Sequence, residues 1–214
     1  MADQHLQYGD IETALPLYEK ALSLDKNFAP AYHNRAQCYI GLSRNQEALQ
    51  DLNRCVALPS SQQYLALCSL AQLHYSMGQY PAAIATWNKL LAIGRNNSAL
   101  FDRAQCYETM GKFNLAIADL TEVLKYSRTK ANILCRRARV YSRMHQFDKV
   151  IADCSAVIKA DPAGTNSKDA NIEVLKLRAD AYKKLGQDAL AKRDLARLQQ
   201  TYKSDDALAP FSTK

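Results

Sequence analysis

Apolar residues recur along this chain with the spacing of short amphipathic helices. The clearest stretch, residues 99–126, places Leu100, Ala104 and Tyr107 at i, i+4 and i+7, which is one face of a helix. Gly111 follows, a residue that suits the left-handed backbone at which many helices end. A second apolar stripe comes after it, formed by Ala116, Ile117, Leu120, Val123 and Leu124. The pattern predicts a helix hairpin around Gly111, which needs neighbours to cover its apolar faces.

The hairpin pattern recurs through the chain. The helix-ending position is Gly9, Ser43, Gly78, Gly111, His145 and Gly186, with spacings of 34, 35, 33, 34 and 41 residues. Seven residues earlier stands an alanine (Ala36, Ala71, Ala104, Ala138, Ala179), and four earlier an aromatic residue (Tyr39, His74, Tyr107, Tyr141, Tyr182). Five residues later stands Ala14, Ala48, Ala83, Ala116, Val150 or Ala191. Small residues at fixed positions indicate close helix crossings.

A period near 34 residues with two helices per unit resembles the tetratricopeptide repeat (TPR). The resemblance implies an all-α fold: a right-handed superhelical solenoid of antiparallel helix hairpins, with about five full repeats after a partial one. The expected repeats are about 1–28 (partial), 29–62, 63–97, 98–130, 131–163 and 170–203. They form a single domain over residues 1–203, followed by a flexible tail over 204–214. Ser43 and His145 depart from the pattern, since a left-handed backbone costs them more than glycine.

The partial first repeat leaves one apolar face with incomplete cover. This face includes Leu6, Leu15 and Tyr18. This face could pack against another part of the same, longer protein. A structural segment of a larger TPR protein is therefore one alternative function.

Charged residues also repeat. An arginine precedes the recurring alanine in four hairpins, and an aspartate follows each arginine 16 residues later: Arg35–Asp51, Arg103–Asp119, Arg137–Asp153 and Arg178–Asp194. The remaining full hairpin lacks both members and has Leu70 and Thr86 instead. Joint presence and joint absence predict an ion pair that ties the two helices together. Four arginines offered to a phosphate-rich ligand are the alternative, but a carboxylate fork uses the donors that phosphate would need.

Composition narrows the class of protein. The chain is 48% hydrophobic and 23% charged, with few Gly and Pro residues, which is typical of a folded helical protein. It shows no membrane-spanning apolar run.

The six cysteines form no CxxC pair and have no histidine at zinc-ligand spacing, which favours buried thiols in a reducing, cytoplasmic compartment. Catalytic motifs are absent, so neither an enzyme nor a cofactor is expected. The single Trp87 lies on a helical apolar stripe and is expected in the core.

The TPR resemblance implies a non-enzymatic adaptor or scaffold that binds a partner peptide or helix in a concave groove lined by the first helix of each hairpin. The expected groove residues, which lie off the core stripe, are Asn34, Gln37, Gln72, Tyr75, Asp102, Gln105, Arg136, Arg139, Arg143 and Lys183. Amides can bond a peptide backbone. The arginine stripe could hold an acidic partner, unless Asp102, Glu108 and Asp180 neutralise it.

Two further interpretations concern the ligand. Residues 1–126 carry 10 Lys/Arg and 11 Asp/Glu, whereas residues 127–214 carry 18 and 10, so an RNA-binding helical repeat is the alternative class. RNA-binding proteins built from helical repeats should carry basic residues along most repeats. In this chain the excess of basic residues lies at one end, which disfavours RNA binding. Chaperone-binding TPR domains clamp a C-terminal carboxylate with Lys, Asn and Arg side chains. Asn34 matches one of them, but Asp3, Leu65 and Ser69 replace others, so this clamp is not expected.

Overall fold

The computed structural model describes residues 11–94, 96–161 and 168–206, with the side chains of 168–170 and 201–206 left aside. Over these ranges the chain forms eleven α-helices and no strand. The helices are α1 (Ile11–Leu24), α2 (Ala29–Gly41), α3 (Asn45–Ala57), α4 (Gln63–Ser76), α5 (Tyr80–Ile93), α6 (Asn97–Thr109), α7 (Phe113–Tyr126), α8 (Ala131–Arg143), α9 (Phe147–Ala160), α10 (Lys168–Lys184) and α11 (Asp188–Asp206). The all-α prediction is confirmed.

The chain divides into two compact units, with the boundary between Cys106 and Tyr107. In the first unit α2 packs on α3 and α4 on α5, and α3 also packs on α4. In the second unit α8 packs on α9 and α10 on α11, and α9 also packs on α10. Within each unit, successive helices therefore form stacked hairpins. The division of the chain into one domain over 1–203 stays a prediction, and residues 207–214 lie outside the described residues.

Each hairpin turns on a left-handed residue at the predicted position. The φ angle is 59° at Ser43 and 56° at His145, and it is 71–72° at Gly78, Gly111 and Gly186. The residue after each turn donates its N–H to the carbonyl of the recurring aromatic position, for example Arg44 to Tyr39 at 2.8 Å. This is the Schellman helix end, which satisfies carbonyls that the helix leaves unpaired. Gly9, the first predicted turn, lies outside the described residues.

Replacing Ser43 with glycine should raise the free energy of unfolding by about 0.5–1 kcal/mol, because glycine adopts this φ without a steric penalty. The matched control is Gly78→Ala, which should lower it by a similar amount. A Cβ at Gly78 would meet nothing within 4 Å, so that change reports the backbone alone. Urea denaturation followed by circular dichroism measures both, and a Ser43→Gly variant no more stable than the native chain would contradict the prediction.

Three of the four predicted arginine–aspartate pairs are confirmed as two-bond forks. Arg35 Nε lies 2.7 Å from Asp51 Oδ2, and Arg35 Nη2 lies 2.8 Å from Asp51 Oδ1. The pairs Arg137–Asp153 and Arg178–Asp194 repeat this geometry at 2.7–2.8 Å. The hydrogen bond to the carboxylate raises the pKa of each arginine above its ordinary value. Arg103 and Asp119 belong to different units, and their pairing stays a prediction.

The arginine forks also reach the preceding hairpin. Arg137 Nη1 donates to Thr121 Oγ1 at 3.0 Å, and Arg178 Nη1 donates to Ser155 Oγ at 2.8 Å. Each of these two guanidinium groups therefore joins its own hairpin to the one before it. With the donors committed inside the protein, bracing is favoured over phosphate binding.

The hairpin without an arginine replaces the pair by apolar packing. Leu70 is buried in a cluster with Ala66 and Leu73. Thr86 is buried and its hydroxyl donates to the Ala82 carbonyl at 2.9 Å. Neither position carries a charge, so the missing ion pair leaves no buried charge unpaired at this place.

The apolar face of the first described helix is largely covered. Tyr18 is only 3% exposed and packs in a cluster with Ala14, Ala31 and Cys38. Leu15 is partly buried beside that cluster. Helix α2 thus supplies cover on this side, while Leu6 lies outside the described residues.

Candidate functional site

In the first unit, polar side chains of α2 and α4 meet across the two helices. Gln37 Nε2 donates to Ser69 Oγ at 2.9 Å, and His33 Nε2 lies 3.2 Å from the same hydroxyl. His33 Nδ1 lies 3.1 Å from Asn34 Oδ1. These bonds hold Asn34 and Gln37 in place on a half-buried surface. Gln37 Oε1 keeps acceptor capacity, because the hydrogen bonds of this amide within the described residues all use its Nε2 atom.

The same surface continues from α4 to α6. Tyr75 Oη donates to Gln105 Oε1 at 3.3 Å, and the Tyr75 ring packs edge-on against Tyr80. Gln72 is exposed, and its amide makes no hydrogen bond with the described residues. We call Asn34, Gln37, Gln72, Tyr75 and Gln105 the amide face. It brings together five predicted groove residues of the first unit.

A cavity of about 200 Å³ opens within the amide face. Its lining residues are Gln72, Tyr75, Trp87, Asp102 and Gln105. Trp87 is 2% exposed, which confirms the prediction that it lies in the core. Its role in the cavity wall was not predicted, because spacing along one helix shows which stripe is buried but not which ring borders a void.

In the second unit, the predicted arginine stripe is ion-paired. Glu108 Oε2 lies 3.2 Å from Arg136 Nη1, and Glu108 Oε1 lies 3.5 Å from Arg143 Nη1. The Arg143 guanidinium also lies over the Phe113 ring, 4.9 Å from its centre. The Glu108 carboxylate thus lies beside two arginines. This agrees with the alternative in which Glu108 neutralises the arginine stripe.

The third arginine of the stripe, Arg139, has an ion-pair partner that the sequence pattern did not predict. Arg139 Nε lies 2.9 Å from Glu173 Oε1. Glu173 lies three residues before Lys176 on α10. Helical spacing would have placed Glu173 among the expected groove residues if the predicted helix had begun earlier. Lys183, the last predicted groove residue, is exposed on α10 and makes no ion pair within the described residues.

Removing the shared carboxylate should expose the arginine stripe to anions. We expect Glu108→Gln to bind a labelled hexaglutamate peptide roughly five-fold more tightly at low salt, because one opposing charge is lost near Arg136 and Arg143. Fluorescence anisotropy measures the affinity. Glu122→Gln, in the exposed pair with Lys125, is the matched control and should change little. Equal affinities for Glu108→Gln and the native chain would show that Glu108 does not neutralise the stripe.

The cysteines are all free thiols, and five of the six are buried. Burial raises the pKa of Cys106 to about 11 and that of Cys154 to about 12. Burial, together with a hydrogen bond to Glu173, raises the pKa of Cys135 to about 12. Such thiols stay protonated at neutral pH and are poor nucleophiles and metal ligands.

Two features of the described residues bear on the kind of site. Across the ranges given above, no group of three or more His, Cys, Asp and Glu side chains is placed to hold a metal ion. None of the helices described combines the length and apolar character needed to cross a membrane.

Stacked helix hairpins with a 34-residue period and left-handed turns define a class of repeat protein. The chain contains tetratricopeptide repeats. Models of the tetratricopeptide repeat match residues 17–50 and 98–130.

Known proteins resemble this chain in sequence or in fold. Hsp70-Hsp90 organizing protein 1 of Glycine max is 32% identical over 117 residues, covering 53% of this chain and 20% of that protein. The C-terminal part of a TPR protein from Cytophaga hutchinsonii matches 94% of this chain and 77% of its own, with a TM-score of 0.77 and 17% identity. YrrB, described as a TPR protein with an unusual peptide-binding site, matches 86% of this chain and 91% of its own, with a TM-score of 0.69 and 16% identity. The chain thus covers about a fifth of the length of the Glycine max protein.

Proposed function

We propose that this protein is a non-enzymatic adaptor that holds a peptide or helix of a partner protein on the amide face of its first unit. The observation that carries the proposal is the row of amide and hydroxyl groups on α2, α4 and α6. Gln37 Oε1 and the Gln72 amide keep hydrogen-bonding capacity, and an extended peptide presents matching N–H and C=O groups. The TPR fold, and the peptide-binding site described for YrrB, support this choice.

The chemistry of the amide face favours a neutral peptide segment over a C-terminal carboxylate. Where a carboxylate clamp needs cationic side chains, this chain has Leu65, which is 48% exposed, and Ser69, which accepts the Gln37 amide. The proposed adaptor therefore differs in ligand from a carboxylate clamp of the chaperone-binding type, despite its sequence similarity to an Hsp70-Hsp90 organizing protein.

The second unit supports the RNA alternative less well than its charge suggests. Arg136, Arg139 and Arg143 each lie within 3.5 Å of a carboxylate oxygen, and Arg137 and Arg178 are held in forks. Phosphate binding would have to displace these carboxylates. The proposed function therefore rests on the first unit.

The proposal is tested by selecting binders from a displayed library of random twelve-residue peptides. We expect enriched peptides to bind an Asn34→Ala, Gln37→Ala double variant about ten-fold more weakly, because two hydrogen-bonding groups are lost. Asn53→Ala, which removes an exposed amide on α3, is the matched control. Amidating the peptide C-terminus should leave affinity unchanged. Failure to enrich any peptide, or equal binding by the double variant, would overturn the proposal.

A further inference from the structure

A histidine lies at the centre of the hydrogen bonds that hold the amide face. His33 on α2 is half-buried, and its two ring nitrogens have opposite surroundings. Nδ1 lies 3.1 Å from Asn34 Oδ1, an oxygen that can only accept a hydrogen bond. Nε2 lies 3.4 Å from Gln37 Nε2, an amide nitrogen that can only donate. Both contacts fit the same form of the ring, the neutral imidazole with its proton on Nδ1.

Ser69 on α4 completes this arrangement. Its hydroxyl oxygen accepts from Gln37 Nε2 at 2.9 Å and lies 3.2 Å from His33 Nε2. When His33 is neutral, Nε2 is an acceptor and the Ser69 hydroxyl can donate its proton to it. The Gln37 amide is then held with its nitrogen towards Ser69, and its oxygen is left to accept a hydrogen bond from a peptide.

We infer that protonation of His33 turns the Gln37 amide and so changes what the amide face offers to a peptide. The imidazolium carries a proton on both ring nitrogens and can only donate. Its Nε2–H then points at the Gln37 NH₂ group, 3.4 Å away, and two donors cannot bond each other. Exchanging the two ends of the amide removes the conflict, because Gln37 Oε1 accepts from His33 Nε2–H and from the Ser69 hydroxyl. Gln37 then presents its NH₂ group to the peptide in place of its oxygen.

The direction of the pH dependence follows from this exchange. Histidine in an ordinary environment changes its charge between about pH 5 and 8. Neutral His33 leaves the Gln37 oxygen facing the peptide, whereas protonated His33 withdraws it. Peptide affinity is therefore greatest at the upper end of this range and falls as the pH falls. The inference rests on the proposed function, since it describes the regulation of the same amide face.

The other titratable groups on the helices packed against α2 are engaged elsewhere or stay neutral. On α3, Asp51 is held in the fork with Arg35, and the Cys55 thiol contacts the backbone of His33. Helix α4 contains no Asp, Glu, Lys or Arg, and its half-buried thiol is Cys68. Burial raises the pKa of both thiols, so they stay protonated across this pH range. The remaining charged residues of α1 and α3, none of which pairs with the His33 ring among the described residues, are Glu12, Glu19, Lys20, Glu47 and Arg54.

The first test needs no peptide. The chain has four histidines, so single substitutions assign each ring in a ¹H–¹⁵N spectrum. At about pH 8 the ring ¹⁵N shifts of His33 should be those of the neutral form with its proton on Nδ1. On titration to about pH 5, the side-chain NH₂ signals of Gln37 should move with the same midpoint as the His33 ring. Gln37 signals that do not follow the His33 ring, or a neutral ring that carries its proton on Nε2, overturn the inference.

The second test measures affinity by fluorescence anisotropy, with an enriched library peptide that contains no histidine, aspartate or glutamate. The native chain should bind it about five-fold more weakly at about pH 5 than at about pH 8, because one acceptor is withdrawn. His33→Gln should bring this ratio to about one. His74→Gln is the matched control and should keep the native ratio, because His74 Nδ1 bonds Gln79 Oε1 at 2.7 Å in the turn after α4. Equal native affinity at the two pH values, or a His33→Gln variant that keeps the native ratio, refutes the inference.

The two proposals fail in different ways. If library peptides bind in a manner that depends on Asn34 and Gln37, but with equal affinity at both pH values, the inference about His33 alone is wrong. If no library peptide binds the native chain at either pH, the proposed function is wrong. The Gln37 signals then still decide whether protonation of His33 turns the amide.

Discussion

Replacing Arg137 with alanine should lower the free energy of unfolding by about 3–5 kcal/mol. The change leaves Asp153 buried, at 5% exposure, without the two hydrogen bonds that Arg137 now donates to it. It also removes the bond from Arg137 to Thr121 on the preceding hairpin. Guanidinium denaturation followed by circular dichroism measures the loss.

The chain itself supplies a matched control for this change. The hairpin with Leu70 and Thr86 shows what stands at the two positions when no ion pair is present. The double variant Arg137→Leu, Asp153→Thr copies that solution and should recover most of the stability, because no charge is left buried. Lys125→Ala, which breaks an exposed pair with Glu122, should cost at most about 0.5 kcal/mol. An Arg137→Ala variant as stable as Lys125→Ala would refute the bracing role.

Replacing Leu90 with alanine should cost about 2–5 kcal/mol of unfolding free energy. Leu90 is fully buried on α5, in the cluster that includes Leu67 and Trp87. The loss combines the transfer energy of the removed methyl groups with the cavity they leave, since neighbouring helices relax only in part.

The same substitution at an exposed leucine is the control. Leu65 on α4 is 48% exposed, so Leu65→Ala should change the free energy of unfolding by roughly 0.5 kcal/mol or less. Thermal and urea unfolding of both variants measure the difference. Equal effects at the two positions would contradict the core assigned to the first unit.

Much of the fold follows from local spacing. The turn positions were predicted correctly even at Ser43 and His145, because the repeat period fixes where the left-handed residue falls regardless of its identity. The pairs made by Arg35, Arg137 and Arg178 were also predictable, since a constant separation of 16 residues places both partners at equivalent positions in each hairpin.

The site was less predictable than the fold. Sequence spacing placed Gln72 and Gln105 on the first helices, but the cavity between them depends on how side chains of three helices fit together. The pairing of Arg139 with Glu173 depends on where α10 begins, and helix starts are set by few residues. The Trp87 indole N–H has no hydrogen-bond partner among the described residues. Nothing in the sequence predicts this, because a core tryptophan looks the same whether or not its nitrogen finds an acceptor.

The central claim is that the amide face of the first unit holds the bound peptide. Its most direct test is a ¹H–¹⁵N spectrum of the labelled protein with and without a peptide enriched from the library. We predict that the side-chain NH₂ signals of Asn34, Gln37, Gln72 and Gln105 shift on binding, together with backbone amides of α2 and α4. Shifts confined to α3 and α5, or to the second unit, would contradict the claim.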